Sequence, residues 1–156
     1  EFTDNRKDKV LFGDQLKNEF RHFTGKFSLT VNKDSQSGLA LGAFDLNALF
    51  REAFKRRLEN QGITILDKRD DNHPELEIVL DRFLVDQEEK NWIAQMEYRA
   101  ILVINPSLKA NQTVSGNAER YRIPGVGKPE KVMEEIFSDM VNRLDLPELF
   151  KKTHQL

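Results

Sequence analysis

Residues 45–62 read DLNALFREAFKRRLENQG, and four segments follow: ITIL at 63–66, ELEIVLDRFLV at 75–85, NWIAQMEYRAILVIN at 91–105 and QTVSGNAERYRI at 112–123. The first stretch is an amphipathic helix. Leu46, Leu49, Phe50, Ala53, Phe54 and Leu58 recur three and four residues apart, which places them on one face. Asp45 offers its carboxylate to the first free amides as an N-cap. Gly62 stands where a left-handed residue ends a helix. Arg56 and Arg57 sit near the C-terminus, where the macrodipole favours cations. Lys55, Arg56 and Arg57 read as a solvated face rather than a phosphate site, because Glu52 and Glu59 dilute their charge.

The segments after the helix change period. Ile63–Leu66 reads as a short buried strand. Leu76, Ile78 and Leu80 share one face of the next strand; Val79 and Phe83 break the alternation, which fits either a bulge or a two-sided burial near Asp81-Arg82. DQEEKN at 86–91 is a charged hairpin turn. Trp92, Ala94, Met96, Tyr98, Ala100, Leu102 and Ile104 then share a face opposite Gln95, Glu97 and Arg99. Pro106 ends that strand, since proline cannot donate to a ladder. Residues 113–123 are polar but strand-like and suit a half-exposed edge.

Pro129 suits the first position of a second long helix, whose apolar face is Val132, Met133, Ile136, Phe137, Met140, Val141 and Leu144. Asp145-Leu146-Pro147 starts a short final helix, and KKTHQL is a tail. Upstream, DQLKNEFRHF at 14–23 suggests helical turns, KFSLTV at 26–31 a strand and NKDSQSG at 32–38 a loop. Residues 1–9 are read as a disordered tail and residues 10–156 as a single α+β domain. Glu1-Phe2 is what a cloning site encodes, so a signal peptide with a lipid-bearing cysteine is expected to have stood upstream.

Composition narrows the function classes. A chain of 156 residues suits one domain able to bury roughly 70% of its unfolded surface. The net charge is -2, so no global basic field attracts nucleic acid. There is no cysteine, which excludes disulfides, thiol catalysis and cysteine metal sites. No apolar run reaches the length of a transmembrane helix.

The remaining chemistry is sparse. His22, His73 and His154 lack metal-binding spacing, and His73 beside Asp70, Asp71 and Glu75 reads as a solvated loop. Glu75, Glu77 and Asp81 read as the wet side of a strand rather than an acid–base pair. Ser115-Gly116 lacks the glycine of a nucleophile elbow. PGVGKP at 124–129 lacks the P-loop spacing and reads as a loop before a helix. Neither an enzymatic activity nor a cofactor or metal is expected. Phe12, Phe20, Phe23 and Phe27 cluster near the N-terminus: they cover the sheet as core, or they line a groove for a lipid tail or partner. The long strand from Trp92, or the polar strand after it, also offers an edge to a partner's strand.

The order of these elements resembles the YajG-type outer-membrane lipoproteins of Gram-negative bacteria. The resemblance rests on FDLNALFREAFKRRLENQGITI at 44–65, ELEIVLDRFLVD at 75–86, YRAILVIN at 98–105, QTVSGNAERYRI at 112–123 and EEIFSDMVNRLDLPELFKK at 134–152. It matches caps and apolar positions over residues 44–152, not signature residues. Small lipoproteins of lipopolysaccharide assembly and auxiliary lipoproteins of lipid transporters share this layout. The resemblance implies export, acylation of an upstream cysteine, and residence on the periplasmic face of the outer membrane. It implies no catalytic residues, and an envelope protein or lipid as partner. The fold expected is a two-layer α+β sandwich, with a mainly antiparallel sheet of four or five strands against two long helices. The alternative is a cytoplasmic protein-binding adaptor.

Overall fold

The computed structural model describes residues 1–7, 9–19, 26–29, 39–42, 45–66, 68, 70, 72–105, 108–122 and 129–154. Its frame is a meander of three long strands, β4 (Glu75–Glu88), β5 (Asn91–Asn105) and β6 (Leu108–Tyr121), each antiparallel to the next. β1 (Phe2–Asp4) joins the outer edge of β4 in parallel, so the sheet is mixed, in the order β1-β4-β5-β6. β2 (Lys26–Leu29) and β3 (Leu39–Gly42) form a separate antiparallel ribbon. The helices are α1 (Leu46–Glu59), α2 (Pro129–Arg143) and the shorter α3 (Leu146–His154). α1 lies against β1 and β3, α2 against β2, β5 and β6, and α3 against β5 and β6. The chain is thus α+β, with a four-stranded sheet and two long helices.

The sheet follows the apolar alternation. Trp92, Ala94, Met96, Tyr98, Ala100 and Leu102 are buried on one face of β5, opposite Ile78, Leu80, Phe83 and Val85 of β4. The bulge is where the broken alternation placed it: the register shifts between Leu80 and Arg82, which leaves Asp81 as the extra residue. The hairpin is tighter than expected, with β4 running to Glu88 and only Glu89-Lys90 turning, Glu89 at a φ of 51°. Facing α2, β6 presents small side chains. A Cβ on Gly116 would lie 2.3 Å from Met140 Cε, so the missing side chain is what lets helix and strand approach.

Both ends of α1 are capped as read. Asp45 Oδ1 accepts from Ala48 N at 2.9 Å. Ile63 N reaches back to Leu58 O and Gly62 N to Glu59 O, with Gly62 at a φ of +79°, the bond pattern of a Schellman cap. Ile63–Leu66 is not a strand. The Schellman cap turns the chain, and among the described residues no strand pairs with this segment; Ile63 and Ile65 instead pack half-buried against the core. The final helix extends to His154, four residues into the segment read as tail. It is capped by Asp145, whose Oδ1 accepts from Glu148 N at 2.9 Å.

Phe50 is the hub of the core. It is fully buried, stacks on Phe2 with centroids 4.7 Å apart, and meets Phe137 edge-on at 4.9 Å. Phe54 and Tyr98 extend the cluster. Each such ring contributes about 1.5–3 kcal/mol through removal of apolar surface from water. Burial pushes the Tyr98 hydroxyl far above the ordinary phenol range.

The N-terminal residues expected to fray are instead the sheet's edge. Phe2, Thr3 and Asp4 pair with Ile78, Val79 and Leu80, and Asn5 N donates to Leu80 O at 2.9 Å. The chain meets β4 again further on, where Val85 N donates to Leu11 O and Gly13 N to Val85 O, both at 2.8 Å. Between these contacts lies the bulge, and Arg6 fills it. Its Nη1 donates to Val10 O at 2.9 Å and Phe83 O at 3.2 Å, while Nε and Nη2 hold the Asp4 carboxylate at 2.9 Å. A buried guanidinium is tolerated there because its charge is paired and its donors are used. The polar run TDNRKDK concealed this, because a buried arginine–aspartate pair has the composition of a solvated tail.

Candidate functional site

Strand alternation sends every second side chain away from the helices. Among the described residues nothing covers this outer face of β4, β5 and β6. Leu84, Ile93, Ile101 and Val103 remain half-buried on it, between polar neighbours such as Glu97 and Arg99. At its centre the bulge residue Asp81 accepts from Arg99 Nε at 2.7 Å and Nη2 at 3.0 Å, and from Asn5 Nδ2 at 2.8 Å. The hydrogen bonds from Arg99 hold the Asp81 carboxyl below the ordinary range. That carboxylate therefore orients Arg99 and is not poised to move protons.

The two edges of the sheet differ. The β4 edge is occupied by residues 1–5 and 11–13. The β6 edge has no strand neighbour among the described residues. Lys109, Asn111, Thr113, Ser115, Asn117, Glu119 and Tyr121 are all exposed along β6, and Tyr121 is 65% accessible.

At the hairpin end, Arg122 ties the edge to the N-terminal turn. Its guanidinium lies 4.8 Å over the Trp92 ring and donates to both Glu19 oxygens at 2.6 and 2.7 Å. It also bonds Gln87 Oε1. Cation–π attraction and a forked carboxylate contact make this a latch between distant segments.

One side chain departs from its expected place. The sequence places Arg57 on a solvated basic face, yet it is 6% exposed. Its Nη2 donates to the Leu144 carbonyl just beyond the end of α2, while Nε and Nη1 have no partner. Desolvation lowers its basicity, opposed by the nearby Tyr98 and Asp145. The guanidinium stands where the negative ends of α1 and α2 converge, which is favourable for a cation. Helical spacing carried a signal for this: Arg57 lies four residues after Ala53, on the margin of the apolar stripe.

The aromatic cluster read as a possible groove separates into core and undescribed positions. Phe12 is 6% exposed, belongs to the core and forms a bridge with Val85, so it packs the sheet and does not line a groove. Phe20 and Phe23 lie outside the described residues, and of Phe27 only the backbone, in β2, is described. The loops at 32–38 and 124–128, and His22, also lie outside them. His73 Nδ1 lies 3.0 Å from Asp70 Oδ2 in an exposed turn. Among the described residues no group of three or more histidines and carboxylates converges as a metal site, and no helix is long and apolar enough to cross a membrane.

No protein-family model matches the sequence, and no curated protein matches it. Among solved structures, the chain is similar to protein XCC0632 from Xanthomonas campestris, of the family model DUF330. The TM-score is 0.55 at 14% identity, over 99% of this chain and 86% of that one. That likeness is one of fold.

Proposed function

We propose that this chain is the non-catalytic periplasmic domain of an outer-membrane lipoprotein of the YajG type, which binds a protein partner or a lipid of the cell envelope. The observation that carries the binding role is the outer face of β4–β6, which nothing covers among the described residues. Half-buried Leu84, Ile93, Ile101 and Val103 lie there among charged side chains, the mixed character of a surface that is covered only part of the time. The lipoprotein assignment is supported by the sequence resemblance over residues 44–152, beside the fold shared with XCC0632. The titratable groups of that face fit binding better than catalysis, since its central carboxylate, Asp81, is held by Arg99 and Asn5.

The test is expression from the full native gene with labelled palmitate, followed by separation of the membranes. A labelled product in the outer-membrane fraction is expected. An unlabelled product in the cytosol would overturn the envelope assignment and favour a cytoplasmic adaptor that uses the same sheet.

A further inference from the structure

We infer that β6 is a self-complementary edge, and that two copies of this chain join through it, antiparallel, about a twofold axis at Val114. This goes beyond the envelope reading and does not depend on the compartment.

The first observation is the asymmetry of the sheet. β4, which carries the bulge, is closed off by the N-terminal segment. β6 is 14 residues long and pairs with β5 in unbroken register from Lys109 to Tyr121. It contains no proline and no bulge between those residues. Long edges are usually blunted by such devices, because their free amides and carbonyls invite another strand.

The second observation is the order of side chains along it. Reading outward from Val114, the sequence K-A-N-Q-T-V-S-G-N-A-E matches itself in four of its five pairs, Gln112 opposite Gly116 being the exception. In an antiparallel pair centred on Val114, Thr113 stands opposite Ser115 of the second copy, and Asn111 opposite Asn117. Ala110 then meets Ala118, and Lys109 meets Glu119. Twofold symmetry makes each of these pairs occur twice. Lys109 and Glu119 are exposed on the outer face, and Lys109 has no ion-pair partner among the described residues. Opposite charges directly across a strand pair attract, and matched hydroxyls or amides there exchange hydrogen bonds.

The register is specific. A slip of one residue would turn the helix-facing side chains outward. A slip of two would place Lys109 opposite Asn117 or Tyr121 and would break the asparagine match as well, leaving only a hydroxyl pair at the centre. The small residues also matter. Ala110, Val114 and Gly116 face the helices of their own subunit, so at the seam they fill little space beside the neighbour.

The test is sedimentation velocity of the full chain at tens of micromolar, with a charge swap. The wild type is expected to sediment as a dimer. Lys109→Glu and Glu119→Lys alone should each weaken association roughly tenfold, and the double swap should restore it, because it exchanges the two partners. Since the chain has no cysteine, Thr113→Cys and Ser115→Cys chains can be mixed and mildly oxidised. The mixture should give a disulfide-linked pair in greater yield than either chain alone. Circular dichroism melts of each variant separate loss of association from loss of fold. A wild type that stays monomeric, a double swap that stays as weak as the single variants, or a mixture that links no better than either chain alone would each overturn the inference.

Discussion

The hydroxyl of Tyr98, midway along β5, donates to the main-chain oxygen of Met140 on α2 at 2.8 Å, with both side chains fully buried. This bond fixes the height of α2 over the sheet. Tyr98→Phe keeps the ring and removes the donor, and is expected to cost about 0.5–1.5 kcal/mol. Urea melts measure it directly; a loss above about 3 kcal/mol would mean that the hydroxyl sets more than one contact.

Phe50 joins β1, α1, β5 and α2 through its ring contacts, and its truncation should be among the costliest in the chain. Phe50→Ala is expected to lose about 3–5 kcal/mol, by transfer of the ring and by the cavity left behind. Phe2→Ala, at a half-buried position stacked on the same ring, should lose clearly less. Equal losses in denaturant melts would contradict this placement.

Two glycines are required for different reasons, and the difference is measurable. At Gly62 nothing crowds a new methyl group, but a φ of +79° strains any side chain, so Gly62→Ala should cost about 1–2 kcal/mol. At Gly116 the new Cβ meets the Met140 thioether, and overpacking there should cost about 1–3 kcal/mol. A double-mutant cycle with Met140→Ala separates them: coupling is expected for Gly116 and absent for Gly62.

Arg57 holds a charge out of water with two of its donor nitrogens unused. Arg57→Met keeps the stem and removes the charge, and should leave stability within about 1 kcal/mol of the wild type or above it. A loss of 3 kcal/mol or more in thermal or denaturant unfolding would show that the contact with Leu144 governs the α2–α3 joint.

Acid should loosen the N-terminal edge first. Hydrogen bonds from Arg6 hold the Asp4 carboxyl at about 2, against an ordinary value of 3.8. The folded state therefore binds this proton more weakly than the unfolded chain does. The pair's contribution is complete above pH 3.8 and is lost as pH falls through about 2. Hydrogen exchange at Thr3 and Asn5 should accelerate over that window, and Asp4→Asn should abolish the dependence. Exchange rates that track pH identically in both proteins would refute it.

The long amphipathic segments were legible because their periods are unambiguous. Phe50 and Phe54 on α1, Met96 and Tyr98 on β5, and Phe137 and Met140 on α2 all lie in the core as their spacing indicated. The caps at Asp45 and Gly62 were legible because each needs one residue type at one position. Arg6 was not, and Arg57 showed only in its place on the margin of the apolar stripe, since the burial of each charge depends on a partner 77 or 87 residues away. The strand assigned to Ile63–Leu66 failed for a similar reason, because strand-like composition does not say whether the chain brings a segment beside another strand. The outer face of the sheet was visible in Gln95, Glu97 and Arg99, but its central pair needed the bulge that turns Asp81 toward Arg99.

Closure of the β4 edge by the first residues of the chain also sets an order of assembly. The meander from Glu75 to Tyr121 needs only two local hairpins, whereas Phe2 must find Ile78 across about half of the chain. Non-local pairing carries the larger loop-closure entropy, so docking of the first strand is expected to come late in folding. Until then, the strand that is protected in the native protein presents an adhesive rim. Kinetics that give a near-zero φ-value at Phe2 and a high one at Tyr98 would describe that sequence of events, in which a strand far upstream of the meander is among the last to settle.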